Sequence, residues 1–303
     1  MDKTPGSDPG NSIVVTGFGC EVSDDVLSYL TQGRPRIEKV QLFHDCKPLE
    51  FLRHRKTLKF MSKQDRLAVK AAGKALNDSS PDKEDRKEGC GLFITVGYIP
   101  FHREDAHNIC AHAQQEGRFS MEMFSTEAFD KINPILAFSC LPNMPAHHLS
   151  ANFDLQGEYF ITYPGAPQFY QALEEAVACL QEGDMSWALA GGVADQCNFL
   201  VENHFEKQCP EKAVRAADAA AFVVLERETH AVGRGKKPRA RLVSLELNHL
   251  PETTEAVNKR NGLDLGPVDL PMRLLLAAQE SDAIFEHACE TGRHIFKSCW
   301  EII

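Results

Sequence analysis

The segment from Gly157 to Asp195 constrains this chain more than any other part of its sequence. A short β-branched and aromatic run, Tyr159 to Tyr163, predicts a strand, and Pro164-Gly165 predicts a sharp turn directly after it. Apolar residues then recur at helical spacing from Pro167 to Gly183, where the helix is expected to end. The run from Trp187 to Ala190 predicts a buried strand. Strand, tight turn, helix and strand therefore follow one another.

The turn between the first strand and the helix is where a nucleophilic side chain is most useful. Free N–H groups and the positive end of the helix dipole lower the pKa of a thiol there and favour its thiolate. Ala166 occupies this turn, and its methyl group has no chemistry to activate. The segment therefore has the pattern of a nucleophile site without a nucleophile, and the sequence predicts no catalytic residue here.

This order of elements resembles the β-ketoacyl synthases of the thiolase-like fold, whose active-site cysteine lies at this turn. Counting forward from Gly157 and backward from Gly183-Asp184 both place the family's cysteine on Ala166. Other pieces follow in family order between residues 11 and 247: Ile13 to Gly19, Phe60 to Leu76, Leu92 to Gly97, Asn133 to Gly157, Ala216 to Glu226 and Arg239 to Leu247.

The resemblance implies the fold class and the division of the chain. The expected fold is α/β, with a thiolase-like mixed sheet and covering helices, corresponding to the N-terminal half of a ketosynthase with the second half reduced. Residues 1–12 lack apolar periodicity and are predicted to be a disordered tail. Residues 13–250 are expected to form the ketosynthase N-terminal-like domain. Residues 251–303 are expected to form a short C-terminal extension that replaces the second thiolase half.

Two departures from the family pattern remove its chemistry. The family's gating loop is abbreviated to residues 198–215, and no motif for its catalytic histidines occurs from Leu250 to Ile303. Condensation needs a thiolate to hold the acyl chain and hydrogen-bond donors to stabilise the enolate. The resemblance therefore implies a subunit without catalytic activity or cofactor, similar to chain-length factors, which pair with an active β-ketoacyl synthase in fatty acid or polyketide biosynthesis.

A different function also remains open from the sequence. The chain could be an independent enzyme that reuses the fold for another acyl or thioester reaction through Cys140 or a histidine, or an acyl-binding homodimer. Cys179 lies within the apolar helix pattern and Cys197 follows the Gly191-Gly192 strand end, so both are expected to be buried as small apolar side chains.

A partner chain is expected on two grounds. A half-domain without its twin leaves an apolar face that needs a cover. Condensing enzymes pair through the strand before the nucleophile, so the resemblance implies a dimer seam with an active ketosynthase or with a second copy. That seam comprises Tyr159, Phe160, Ile161, Thr162 and Tyr163.

The net charge of −10 argues against nucleic acid as a partner, but local basic patches remain. The resemblance implies that one of them docks an acidic acyl carrier protein, and a solvated helix face is the alternative. The first patch comprises Arg53, Arg55, Lys56, Lys59, Lys63 and Arg66. The second comprises Arg234, Lys236, Lys237, Arg239 and Arg241.

Histidines and cysteines give no metal prediction. One cluster comprises His102, Asp105, His107, Cys110 and His112. On a helix, His112 is rotated away from His107 and Cys110, so these residues are expected to lie on the surface without a metal. His147-His148 is interpreted as structural because adjacent helical residues point in different directions. The 10 cysteines show no CxxC pair, and the absence of a signal peptide or long apolar segment predicts the cytoplasm and no membrane span.

The C-terminal tail has no counterpart in the family pattern. Apolar spacing predicts short helices over Leu270 to Ala278 and over Ile284 to Cys289. Thr291-Gly292 predicts a turn, and the alternation from Arg293 to Ile303 predicts a terminal strand.

Overall fold

The computed structural model describes residues 11–32, 46–81, 89–99, 101–208, 215–249, 263–279, 284–291 and 294–303. The predicted disordered tail therefore lies outside the described residues except for residues 11 and 12. The centre of the molecule is a mixed sheet of eight strands with helices on both faces. Within the described residues, no helix combines the length and the apolar character needed to span a bilayer.

The strands of this sheet run in the order β7-β8-β6-β1-β5-β4-β2-β3. Pairing is parallel between β3 and β2 and between β2 and β4, and antiparallel at every other junction. The strands are β1 (Ile13–Val22), β2 (Cys90–Val96), β3 (Glu158–Thr162), β4 (Trp187–Ala194), β5 (Ala219–Arg227), β6 (Ala240–His249), β7 (Ile284–Thr291) and β8 (His294–Ile302).

The longer helices connect and cover these strands. They are α1 (Asp24–Gln32), α2 (Lys63–Ser79), α3 (Arg103–His112), α4 (Met144–Phe153), α5 (Ala166–Glu182), α6 (Phe199–Gln208), α7 (Glu228–Gly233) and α8 (Asp269–Ala277). A short 3-10 helix occurs at Arg55–Phe60 and a single helical turn at Leu136–Ser139, and three short helical pieces follow one another from Met121 to Lys131. Two small pairs of strands lie outside the main sheet: Gln114–Gln115 with Arg118–Phe119, and Arg215–Ala216 with Leu263–Asp264.

Each face of the sheet has its own apolar core, because successive strand residues point to opposite faces. On one face, α2 and α4 cover the sheet, and Leu67 and Leu149 contribute to the same cluster as Trp187. On the other face, α5 and α8 pack against the sheet. Helix α2 approaches β1 so closely that a Cβ on Gly19 would lie 2.1 Å from the backbone oxygen of Ala71, which only glycine avoids.

The C-terminal residues extend the sheet through a hairpin. Helix α8 confirms the predicted helix, and β8 confirms the predicted terminal strand. The helix predicted over Ile284 to Cys289 is wrong, because this segment is strand β7 and pairs with β8 along its whole length. Exposed Ile284 and Glu286 alternate with the more buried Phe285 and His287, which is the period of a strand rather than a helix.

A buried hydrogen-bond chain joins the C-terminal elements to α5. The hydroxyl of Tyr170 lies 2.7 Å from His287 Nδ1, and it donates to the backbone oxygen of His287 at 2.9 Å. On the other side of the ring, His287 Nε2 lies 3.0 Å from Asp269 Oδ2. Tyr170 belongs to α5, His287 to β7 and Asp269 to α8, so these contacts hold three elements together.

Helix α5 is amphipathic. Its inner face carries Phe169 and Leu173 into the core shared with Leu274 of α8. Its outer face carries exposed polar residues, namely Gln171, Glu174, Glu175 and Glu182. The C-terminal elements therefore cover the apolar side of α5, and the expected partner chain stays a prediction.

Candidate functional site

The strand-to-helix turn predicted from the sequence lies at the carboxyl end of β3. The Tyr163–Pro164 peptide is cis, Gly165 caps the helix, and α5 begins at Ala166, one residue earlier than predicted. The N–H of Gly165 donates to Gln168 Oε1 at 3.1 Å, and the N–H of Gln168 donates to the oxygen of Gly165 at 3.1 Å. Ala166 is 9% exposed. A methyl group therefore lies at the helix N-terminus.

Hydroxyl groups fix this turn to the neighbouring strand. Thr162 Oγ1 lies 2.7 Å from Thr95 Oγ1 on β2 and donates to the oxygen of Gln168 at 3.0 Å. After β2, the N–H of Ile99 donates to the hydroxyl of Tyr163 at 3.4 Å, and the rings of Tyr98 and Tyr163 meet edge to face. The turn is thus held rigidly in a position where a nucleophile would be preorganised.

The cysteines considered as substitute nucleophiles do not lie on this turn. Burial, followed by the charge of Asp218, raises the pKa of Cys197 to about 12. Burial also raises the pKa of Cys179 on the side of α5, so neither thiol forms a thiolate at neutral pH. Cys140 is half-buried at the C-terminal cap of Leu136–Ser139. Its role as a nucleophile stays a prediction.

A buried ion cluster lies beyond the end of β4. Lys63 Nζ contacts Asp195 Oδ1 at 2.7 Å and Asp218 Oδ2 at 2.8 Å, and both carboxylates are almost completely buried. Burial opposes the charge on Lys63, but the two aspartates outweigh it and raise its pKa. Asp218 Oδ1 also accepts the N–H of Gln196 at 2.9 Å. Sequence reasoning missed both aspartates, although each one directly adjoins the end of a buried apolar run.

This cluster contains one residue of the first basic patch. The side chain of Lys63 is 28% exposed and its charge is paired with two aspartates, so little of that charge is available to a docking partner. Its place in the patch stays a prediction. Arg66 is half-buried, and its Nε donates to the oxygen of Met61 at 3.2 Å. The exposed basic residues of the patch are Arg53, Arg55, Lys56 and Lys59.

A cleft of about 530 Å³ opens beside the ion cluster. Lys63 and Asp195 form its polar wall, and Phe101 and Phe199 form an aromatic wall with ring centroids 6.1 Å apart. Arg103 also lines the cleft, and it lies 3.4 Å from Glu202. The cleft offers charges and ring faces to a polar ligand, but neither Ala166 nor a thiol with a lowered pKa lines it.

The second basic patch is occupied by internal ion pairs. Arg239 Nη1 contacts Asp78 Oδ2 at 2.8 Å, and Arg241 Nη2 contacts Glu228 Oε1 at 2.6 Å. Arg234 pairs with the buried Glu226. Burial opposes the charge of Glu226, yet hydrogen bonds from Arg234 and Thr16 outweigh it and lower its pKa. Arg234 is therefore structural, Arg239 and Arg241 are partly exposed within their ion pairs, and Lys237 is exposed.

The histidine clusters take different positions. His107 and Cys110 are exposed on α3, and across the described ranges no group of three His, Cys, Asp or Glu residues is placed to hold a metal ion. His148 of α4 is buried, and burial followed by the neighbouring His147 lowers its pKa to about 4. Its Nε2 lies 3.8 Å from Oδ2 of Asp65. Burial raises the pKa of Asp65 to about 6, against hydrogen bonds from Ser62.

The strand proposed as a dimer seam lies at one edge of the sheet. Among the described strands, β3 pairs only with β2, so its outer backbone edge is unpaired. Tyr159 is 71% exposed, and Phe160 and Tyr163 are also exposed. The seam residues Ile161 and Thr162 are partly buried. An unpaired edge with exposed aromatic residues is a surface on which a second chain adds readily.

Comparisons with known proteins agree on the fold. Residues 31–231 match the family model described as Beta-ketoacyl synthase, N-terminal domain. No curated protein matches the chain. Among solved structures, the chain resembles a chain of AntDE:AntF, a type II polyketide synthase acyl-carrier protein in complex with its ketosynthase, at 15% identity. The TM-score is 0.73, with 97% of this chain and 99% of that chain covered.

Two further solved structures are similar. A β-ketoacyl synthase from Burkholderia phymatum STM815 gives a TM-score of 0.69 at 14% identity, covering 96% of this chain and 99% of that chain. The ishigamide ketosynthase/chain length factor gives 0.58 at 18% identity, covering 79% of this chain and 64% of that chain. At these identities the likeness concerns the fold.

Proposed function

This chain belongs to the β-ketoacyl synthase N-terminal domain family, and on that premise we propose that it is a non-catalytic subunit that pairs with an active β-ketoacyl synthase. The pair acts in fatty acid or polyketide biosynthesis, in the cytoplasm, and this chain has a role similar to that of a chain-length factor. Membership of the family accounts for the fold. The proposed role as a non-catalytic subunit is argued from the residues of the site.

The observation that carries the proposal is the alanine at the N-terminus of α5. The turn around Ala166 keeps the cap, the hydroxyl contacts and the helix N-terminus that would activate a nucleophile. It lacks only the side chain that would react. A scaffold that is kept while its reacting atom is absent supports a binding role, because binding needs the shape of the site but not its thiolate.

The partner surface is the outer edge of β3 with its exposed aromatic side chains. Backbone N–H and C=O groups along this edge offer hydrogen bonds to a strand of a second chain. Tyr159, Phe160 and Tyr163 add apolar area on the same segment. Aromatic residues are enriched in the energetically dominant parts of protein interfaces. The seam therefore supports pairing with a ketosynthase, and one of the structural neighbours is itself described as a ketosynthase/chain length factor.

A carrier protein is the second partner in this proposal. The exposed residues Arg53, Arg55, Lys56 and Lys59 form a short basic surface on and before the 3-10 helix. An acidic carrier protein is attracted to such a surface, chiefly through a faster association rate. Carrier docking on this chain would bring the acyl group to the paired synthase rather than to a thiolate of this chain.

The experiment that tests the proposal compares the products of an active ketosynthase with and without this chain. The ketosynthase encoded nearest to this chain is supplied with carrier protein and malonyl units, and product lengths are read by mass spectrometry. We expect the chain to change the product distribution and the Tyr159→Glu variant to lose that effect. An unchanged distribution, despite equal amounts of folded chain, would contradict the proposal.

A further inference from the structure

A second cavity lies away from Ala166 and from β3, between α4 and the segment that contains Arg53 and Phe60. Its volume is about 330 Å³. Its apolar lining residues include Phe60, Ile135 and Phe138, together with Met144 and Ala151 of α4. Phe138 is 58% exposed, so an aromatic ring stands open to solvent at the rim. Concave apolar sites of this size are typical of small-molecule pockets, which span about 300–1,000 Å³.

The walls of this cavity are joined by hydrogen bonds. The N–H of Arg53 donates to Asn152 Oδ1 at 3.0 Å, and its Nη1 donates to the oxygen of Ala151 at 3.4 Å. Both contacts connect the residues before the 3-10 helix to α4. These contacts fix the segment that carries Arg53 against α4.

The cavity has a positively charged side chain at its edge. Among the described lining residues this is Arg53, and no aspartate or glutamate lines the cavity. Arg53 also lies 3.4 Å from Asp154, in a contact that is largely exposed. An anionic head group at this rim meets a guanidinium that forms strong charge-assisted hydrogen bonds with carboxylates.

We propose that this cavity binds a medium-chain carboxylate, with the chain against Phe60, Phe138 and Met144 and the carboxylate at Arg53. A free fatty acid and the acid released from an acyl thioester share this chemistry. The cavity volume of about 330 Å³ exceeds that of any single side chain, so one inserted side chain of a docking protein would not fill it. Neither Ala166 nor β3 contributes to the site, but it shares Arg53 with the proposed carrier-docking surface.

The test is calorimetric titration of the full chain with decanoate, and with decyltrimethylammonium as a probe of equal chain length and opposite charge. Decanoate is expected to bind saturably, and the ammonium compound is not. Ala151→Trp fills the cavity from the exposed surface of α4, and Arg53→Gln removes the charge. Each of these two variants is expected to weaken decanoate binding by about tenfold or more. Arg55→Gln is the control, because Arg55 lies two residues from Arg53 but does not line the cavity, and this variant is expected to bind decanoate like the parent.

Folding of each variant is checked by its thermal transition, and Phe138→Ser replaces Ala151→Trp if the latter does not fold. The proposal is overturned if decanoate does not saturate, if both amphiphiles bind equally, or if a folded Ala151→Trp variant binds as well as the parent. It is also overturned if only an acidic carrier protein binds at Phe138. If Arg55→Gln loses carrier docking but binds decanoate like the parent, the cavity binds its ligand independently of the carrier-docking surface, as proposed.

Discussion

The turn at Ala166 has the geometry of a reactive site but no reactive side chain. Gly165 and Gln168 cap the helix, and Thr95 and Thr162 fix the strand end, without any contribution from the side chain at the first helical position. The turn therefore keeps its shape when that side chain is a methyl group. In this family the shape alone brings no covalent chemistry, because the thioester needs a sulfur atom.

Restoring the sulfur atom is expected to be insufficient. We predict that Ala166→Cys gives no condensation product from acyl and malonyl thioesters, because the donors that stabilise the malonyl enolate in the family come from motifs that this sequence lacks. Alkylation with iodoacetamide confirms that the thiol is present, and product is measured by mass spectrometry beside an active synthase. Turnover by Ala166→Cys would overturn the non-catalytic interpretation.

His148 and Asp65 are expected to give opposite pH dependences of stability. The pKa of His148 is lowered to about 4, so its contribution to the free energy of unfolding is present above the unfolded pKa of about 6.5 and is lost as pH falls towards 4. The pKa of Asp65 is raised to about 6. Its contribution is present below its unfolded pKa, near 4, and is lost as pH rises through 6.

A single variant separates the two effects. We predict that the free energy of unfolding of the parent, minus that of His148→Gln, increases as pH rises from 4 to 6.5. The increase is on the order of 3 kcal/mol at most. Urea unfolding at a series of pH values measures it, and the Asp65 contribution largely cancels in the difference. A difference that stays constant across this range would show that His148 is not buried as a neutral imidazole.

At the scale of elements, the two edges of the sheet differ in character. The β3 edge exposes Tyr159 and its aromatic neighbours, whereas the described residues of β7 expose Glu286 and Glu290 beside Ile284. Charged residues on an edge strand discourage pairing with other chains, and aromatic residues favour it. The β3 edge is therefore expected to pair with a partner chain, and the β7 edge is not.

Matched substitutions on the two edges test this difference. We predict that Tyr159→Glu weakens binding to the ketosynthase at least about tenfold, because a charge enters the centre of the seam. Ile284→Glu, at a site 61% exposed on the opposite edge, is the control and should leave binding unchanged. Surface plasmon resonance against immobilised ketosynthase gives both affinities. Equal effects of the two variants would place the interface elsewhere.

A hydroxyl group adds hydrogen bonds to the apolar packing between α5 and the C-terminal elements. We predict that Tyr170→Phe lowers the free energy of unfolding by about 1–3 kcal/mol, because it leaves buried groups of His287 without a partner. Tyr159→Phe removes a hydroxyl from an exposed ring and should change stability by less than about 0.5 kcal/mol. Chemical denaturation measures both. A neutral Tyr170→Phe variant would mean that packing alone holds the hairpin.

Sequence reasoning predicted the elements with strong local patterns and failed where contacts are distant. Apolar periodicity predicted α5 with a start at Pro167, one residue later than its observed start at Ala166. Ile284 to Cys289 was misassigned because its strand period depends on pairing with β8, which the local spacing does not reveal. The ion pairs of Lys63 were not predicted because its partners, Asp195 and Asp218, are more than 130 residues away in the chain.

At the scale of the whole molecule, the chain covers its own core. The face of the sheet beside α5 is closed by α8 and the hairpin, and the outer face of α5 is polar. The sequence predicted a terminal strand in the tail, but not that this strand joins the main sheet beside β6. The exposed apolar residues of the proposed seam lie at the β3 edge instead, so pairing is expected there and not across α5.

The most direct test of partner function is co-expression of this chain with the ketosynthase encoded nearest to it, followed by native mass spectrometry of the purified material. We predict a stable complex of one chain with one ketosynthase, which Tyr159→Glu dissociates and Ile284→Glu does not. A homodimer or monomer of this chain beside an unbound ketosynthase would contradict the proposal, and would favour an independent acyl-binding protein or enzyme.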